Sequence, residues 1–150
     1  MTNAVFTEPD DQSPWWYHQF LLTWFRDLCL GYSNEDDSGG TSSSASHAMQ
    51  SHGNGNVGQS TTEKNMWSFF CYALDGQVES LHELGDLEPD AVWVKKNLSV
   101  VLRHRAAIPD HLSRGTGSSA SAAQELKKVL TGLVDSDPQR SERYSYLIGE

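Results

Sequence analysis

Residues 33 to 61 hold almost no apolar side chains, and that gap divides whatever the chain can fold. The tract SNEDDSGGTSSSASHAMQSHGNGNVGQST is chiefly Ser, Gly, Asn, Thr and His, with a few isolated apolar residues. Such a stretch cannot bury enough surface to offset the entropy of ordering it, so 32–61 is expected to be a flexible, disordered linker. A structureless loop of this length is uncommon inside a compact domain. It would tether a first helix to the rest, allowing that helix to dock on its own chain or to exchange onto a neighbouring copy. The other residues, about 115 of them, suffice for one core without disulfides or metal.

The tether follows an aromatic segment, PWWYHQFLLTWFRDLCLGY. Ser13 and Pro14 suit a helix start, and Gly31 suits its end, so the spacing predicts a helix over 13–31 after an acidic, disordered leader at 1–12. At 100° per residue, Tyr17, Phe20, Leu21, Trp24 and Leu28 form one stripe, flanked by Trp16, Phe25 and Cys29, with Gln19, Thr23 and Arg26 opposite. This apolar sector exceeds the ~100° stripe of an ordinary surface helix. Two readings follow. Trp16, Phe20, Trp24, Trp67, Phe70 and Trp93 could pack together as core. Alternatively Trp15, Trp16 and Phe25 stay exposed as a docking surface.

Residues 62–150 carry the remaining bundle. Thr61 or Thr62 caps a second helix with Met66, Phe70, Leu74, Val78, Leu81 and Leu84 at helical spacing. Asp75-Gly76 is its weak point, where a kink or break is expected, and Gly85 its end. Pro89 opens a third helix with Val94, Leu98, Val101 and Leu102 on one face, closed by Ile108-Pro109. Ser121 to Gln124 reads as a capping box for a fourth helix with Leu126, Val129, Leu130 and Leu133. A short terminal helix follows Asp137-Pro138. No segment alternates with period two between hairpin turns. The fold class is therefore all-α: a small bundle of four main helices plus a short C-terminal one.

Known chemistry is sparse. GNGNVGQST (53–61) comes close to a phosphate-binding loop, with Gly53 and Gly58 correctly spaced, but Gln59 stands where the lysine belongs and no strand precedes it. Nucleotide binding there is the third-ranked function. His47 and His52 lack a carboxylate or thiol companion, and His82-Glu83 lacks a second histidine, so no metal or cofactor is expected. No nucleophile motif frames any serine, so no catalytic residue is assigned and a non-enzyme is expected. Cys29 and Cys71 lie in apolar helical patterns and are expected to be buried thiols. The N-terminus has no signal-peptide pattern and no apolar run is long enough to span a membrane, which points to an intracellular, cytoplasmic protein.

Charge adds one more pattern. The net charge is −9, yet Lys95, Lys96, Arg103 and Arg105 cluster after a stretch, Asp75 to Asp90, that has six acids and no Lys or Arg. Either the two helix faces attract each other within the bundle, or the third helix offers a basic face to a partner. The expected function is a protein–protein interaction module (adaptor, regulatory subunit or inhibitor) binding through Trp15, Trp16, Phe25, Lys95, Lys96, Arg103 and Arg105. Its partner would be another protein, or a second copy reached by exchange of the first helix. The alternative is a nucleic-acid-binding accessory protein using the basic third helix.

Overall fold

The computed structural model describes residues 11–34, 61–113 and 117–149. Among them lie five α-helices and no strand: α1 (Gln12–Asn34), α2 (Thr61–Leu87), α3 (Val92–Ala106), α4 (Ser119–Ser136) and α5 (Ser141–Gly149). Single 3-10 turns at Asp110–Leu112 and Pro138–Arg140 lead into α4 and α5. The all-α bundle of four main helices and a short C-terminal helix is thus the architecture the apolar spacing predicts. The glycine-rich loop, His47 and His52, and most of the leader and linker lie outside the described residues.

The core forms where the stripes of α2 and α3 meet. Phe70 lies edge-on to His104, and a Cβ placed at Gly85 would touch Val94 at 3.7 Å, so the two helices run antiparallel. Trp67, Phe70, Leu74, Leu81 and Leu84 of α2 bury against Val94, Leu98, Val101 and Leu102 of α3. Each such side chain contributes roughly 1.5–3 kcal/mol by leaving water. Leu130 and Leu133 of α4 pack with Tyr144 of α5 in a second cluster.

Several element ends differ from the sequence expectation, each for a local reason. α2 runs unbroken through Gly76 and Gly85. The core stripe Leu74, Val78, Leu81 and Leu84 continues across Gly76, and that burial outweighs the ~1 kcal/mol a helical glycine costs. α1 starts at Gln12 because the Asp11 carboxylate, rather than Ser13, accepts the first available N–H, that of Ser13, at 3.0 Å. It also passes Gly31 and continues to Asn34. α4 starts at Ser119, before the expected capping box. The Ser118 hydroxyl accepts from Ala120 N–H, and Asp110 accepts the Ser119 N–H at 2.7 Å.

The largest correction concerns which side of α1 faces inward. The buried residues are Trp15, Leu22 and Cys29, with Phe25 packed beside them. These positions, with His18, follow the heptad spacing 15, 18, 22, 25, 29 of a helix laid against neighbours. Trp15, expected as a docking residue, is only 2% exposed and belongs to the core. Conversely Trp16, Phe20 and Trp24 do not join Trp67 and Phe70 in the interior; all three are exposed. Phe25 is half-buried, its ring 5.1 Å from Phe70 and 6.0 Å from Phe69.

Candidate interaction surface

The register of α1 fixes what it shows to solvent. Buried Asn97 of α3 accepts a hydrogen bond from Gln19 Nε2 at 3.0 Å and donates its own amide to Trp93 O at 2.9 Å. A fully buried amide satisfied on both ends holds one alignment of α1 over α3. With Trp15, Leu22 and Cys29 inward, Trp16, Tyr17, Phe20 and Trp24 fall on the opposite side, at the i, i+4 spacing of one helical face.

α2 carries two more exposed aromatics, Phe69 and Tyr72. Phe69 sits beside α1 through its contact with Phe25, and Tyr72 lies one turn further along α2. All six aromatics, Trp16, Tyr17, Phe20, Trp24, Phe69 and Tyr72, are between 53% and 72% exposed. Taking about 200 Å² for a fully exposed aromatic side chain, the four on the outer face of α1 present on the order of 450 Å². That lies within the ~300–600 Å² of the largest apolar patch on a typical monomer, a patch that is often functional. Further along the same exposed face of α2 come Gly76, Glu79, Glu83 and Asp86. Among the described residues, none of these three acids has a cationic partner.

The basic third helix does not form the open face the sequence predicts. Arg105 is 2% exposed; it donates from Nε to Asp75 Oδ1 at 3.0 Å and from Nη2 to the Gly117 carbonyl. It therefore ties α3 to α2 and to the start of α4. Lys96 is also largely covered, its Nζ 2.7 Å from Asp137 Oδ2 and over the Trp93 ring. Lys95 is half-buried and only Arg103 is exposed. Attraction between the acidic and basic stretches is real but narrow: Arg105–Asp75 joins them, while Lys96 turns away to the α4–α5 end.

Two further polar groupings are structural. Asp137 Oδ2 accepts from Tyr144 Oη at 2.7 Å and Arg140 Nη1 at 3.3 Å besides pairing with Lys96. Those hydrogen bonds, that of Lys96 foremost, hold its carboxyl down at about 2, while burial and the Asp137 carboxylate push the Tyr144 hydroxyl up to about 12. His82 bonds Glu125 on the surface, joining α2 to α4. A cavity of about 100 Å³ lies beside Arg105, lined by Asp75, Leu102, Gly117, Ser121 and Glu125. It is far smaller than the ~300–1,000 Å³ of a small-molecule site.

At the α1 seam His104 is held down to about 4, first by burial and then by Arg26 and Arg103, with Asp27 opposing them. His18, across the same seam, is lowered by burial. Cys29 and Cys71 are both fully buried thiols; burial pushes Cys29 up to about 11 and raises Cys71.

Of the residues predicted to bind a partner, Trp16 and Arg103 are exposed, Phe25 and Lys95 are half-covered, and Trp15, Lys96 and Arg105 serve the fold. Sequence reasoning missed Tyr17, Phe20, Trp24, Phe69 and Tyr72 as surface residues. The available signal was the heptad spacing through Trp15, Leu22 and Cys29, which assigns the inner face and leaves the larger aromatics outside. No protein-family model, curated protein or solved structure matches the chain.

Proposed function

We propose that this chain is a non-enzymatic interaction module, an adaptor, regulatory subunit or inhibitor, that docks on another protein through the outward aromatic face of α1. The observation that carries this reading is the set of six exposed aromatics spanning α1 and α2. Large apolar patches of this kind mark partner sites, and Trp and Tyr are the residues that most often dominate binding energy. The intact core behind the patch supports a rigid surface rather than a segment that orders on binding. An intracellular setting fits two buried thiols that stay unlinked in a reducing compartment.

The nucleic-acid reading has weaker support, because Lys96 and Arg105, half of its cationic set, are engaged in ion pairs within the fold. The test is affinity capture with mass spectrometry, comparing the wild-type chain with Phe20→Ser/Trp24→Ser. Proteins retained by the wild type and lost by the variant, at unchanged helical circular dichroism, are the expected result. An identical retained set for both chains would contradict the assignment.

A further inference from the structure

The geometry points to a basic amphipathic helix as the element this surface receives: an apolar face covering the Phe20, Trp24, Phe69 and Tyr72 aromatics, with Lys or Arg meeting Glu79, Glu83 and Asp86. This inference rests on the docking reading above and adds the chemistry of the partner.

Size and shape come first. The four aromatics to be covered present on the order of 500 Å², and with the three acids beside them they approach the ~800 Å² each partner contributes to a standard interface. The strip is long and narrow. From Phe69 to Glu83 the exposed face of α2 rises about 21 Å, the length of a helix of roughly 14 residues. At its middle is Gly76, where an added Cβ would meet nothing within 4 Å. No side chain of α2 projects from the strip at that point.

Charge then selects the occupant. The face changes character along its length, aromatic at Phe69 and Tyr72 and acidic at Glu79, Glu83 and Asp86. No Lys or Arg occurs anywhere from Asp75 to Asp90. The outer face of α1 adds no free cation to offset these acids: Asp27 takes the adjacent Arg26 at 3.1 Å. A helix with an apolar stripe and a basic flank matches this order of surfaces. A second copy of a chain of net charge −9 would bring like-charged strips together, and an acidic helix would do the same.

The test uses the full chain and two labelled synthetic peptides of about 18 residues with the same helical apolar pattern, one built from Leu and Lys, the other from Leu and Glu. Fluorescence anisotropy reads their affinities at low and raised salt, and sedimentation follows self-association of the chain alone. The Leu/Lys peptide is expected to bind at least tenfold tighter than the Leu/Glu peptide and to weaken with salt. Glu79→Lys/Glu83→Lys, two exposed changes, should erase or invert that preference. Phe20→Ser/Trp24→Ser should weaken the Leu/Lys peptide at least tenfold, separating docking from general attraction to an acidic protein.

Equal affinity for both peptides, binding of neither, or indifference to the Glu79/Glu83 reversal would overturn the inference. Concentration-dependent self-association lost in Phe20→Ser/Trp24→Ser would also overturn it, giving the face to a second copy. In either case the docking reading survives if protein capture still depends on Phe20 and Trp24, so the two failures are distinguishable.

Discussion

The α4–α5 end and α1 solve opposite problems. At the α4–α5 end the chain has just enough apolar surface for one packed face. Leu130, Leu133 and Tyr144 close it, and Asp137 collects Lys96, Arg140 and Tyr144 around one oxygen. α1 carries more apolar surface than the bundle accepts. It buries Trp15, Leu22 and Cys29 and leaves a bulkier aromatic face in water. The contrast teaches that apolar residues alone do not locate a core; the partners available to each face do. Among the described residues the bundle covers one apolar face of α1 and leaves the other exposed, which is the basis of the proposed docking role.

The neighbouring Trp15 and Trp16 separate the two faces of α1 most clearly. Trp15→Ala should destabilise the chain by about 3–5 kcal/mol, the usual cost of truncating a buried tryptophan. Trp16→Ala, next to it, should change stability by about 0.5 kcal/mol or less. Urea unfolding of both variants measures the difference. Similar losses would mean that α1 has no preferred inner face.

At the other end, Asp137→Ala should cost about 3 kcal/mol, because it strands the covered Lys96 cation and removes the acceptor of Tyr144. That loss should spread through α4 and α5 in hydrogen exchange and leave α1 nearly untouched. Asn97→Ala should act in the opposite place. By depriving Gln19 of its acceptor it should cost about 1–2 kcal/mol and speed exchange mainly in α1.

Acid should separate the two regions along the pH axis. His104 titrates near 4 in the folded chain against an ordinary 6.5, so the unfolded state binds its proton first. Its contribution is complete above about 6.5 and is lost as pH falls toward 4, and the lowered His18 acts in the same direction. Asp137 is held near 2 against an ordinary 3.8, so its contribution is complete above about 3.8 and is lost only below that, toward 2. Hydrogen exchange at pH 7, 5 and 3 should therefore show α1 loosening first and the α4–α5 end later. Simultaneous loosening would refute the separation.

The helix inventory was legible because the stripes of α2, α3 and α4 are regular and each meets a partner. Leu74, Leu81 and Leu84 fall on the core face as their spacing requires, and that regularity carries α2 through Gly76 where propensity alone predicts a break. α1 was legible as a helix but not as to orientation, since aromatics occupy most of its circumference and bulk favoured the wrong side. Only the 15, 22, 29 spacing marks the inner face, and Cys29 gives that face little weight beside Phe20 or Trp24. The basic helix misled for a different reason. Helical spacing places Arg105 on α3, but its partners Asp75 and Gly117 are distant in sequence, so its burial could not be read from local pattern.

Whether Phe20 and Trp24 contribute to the fold decides between a docking face and a core. Equilibrium urea unfolding of Phe20→Ser/Trp24→Ser against the wild-type chain tests this most directly. The expected result is a midpoint and slope nearly unchanged, a difference of about 1 kcal/mol or less for two exposed sites. A loss of several kcal/mol would place these aromatics in the core and leave the proposed docking face without its main residues.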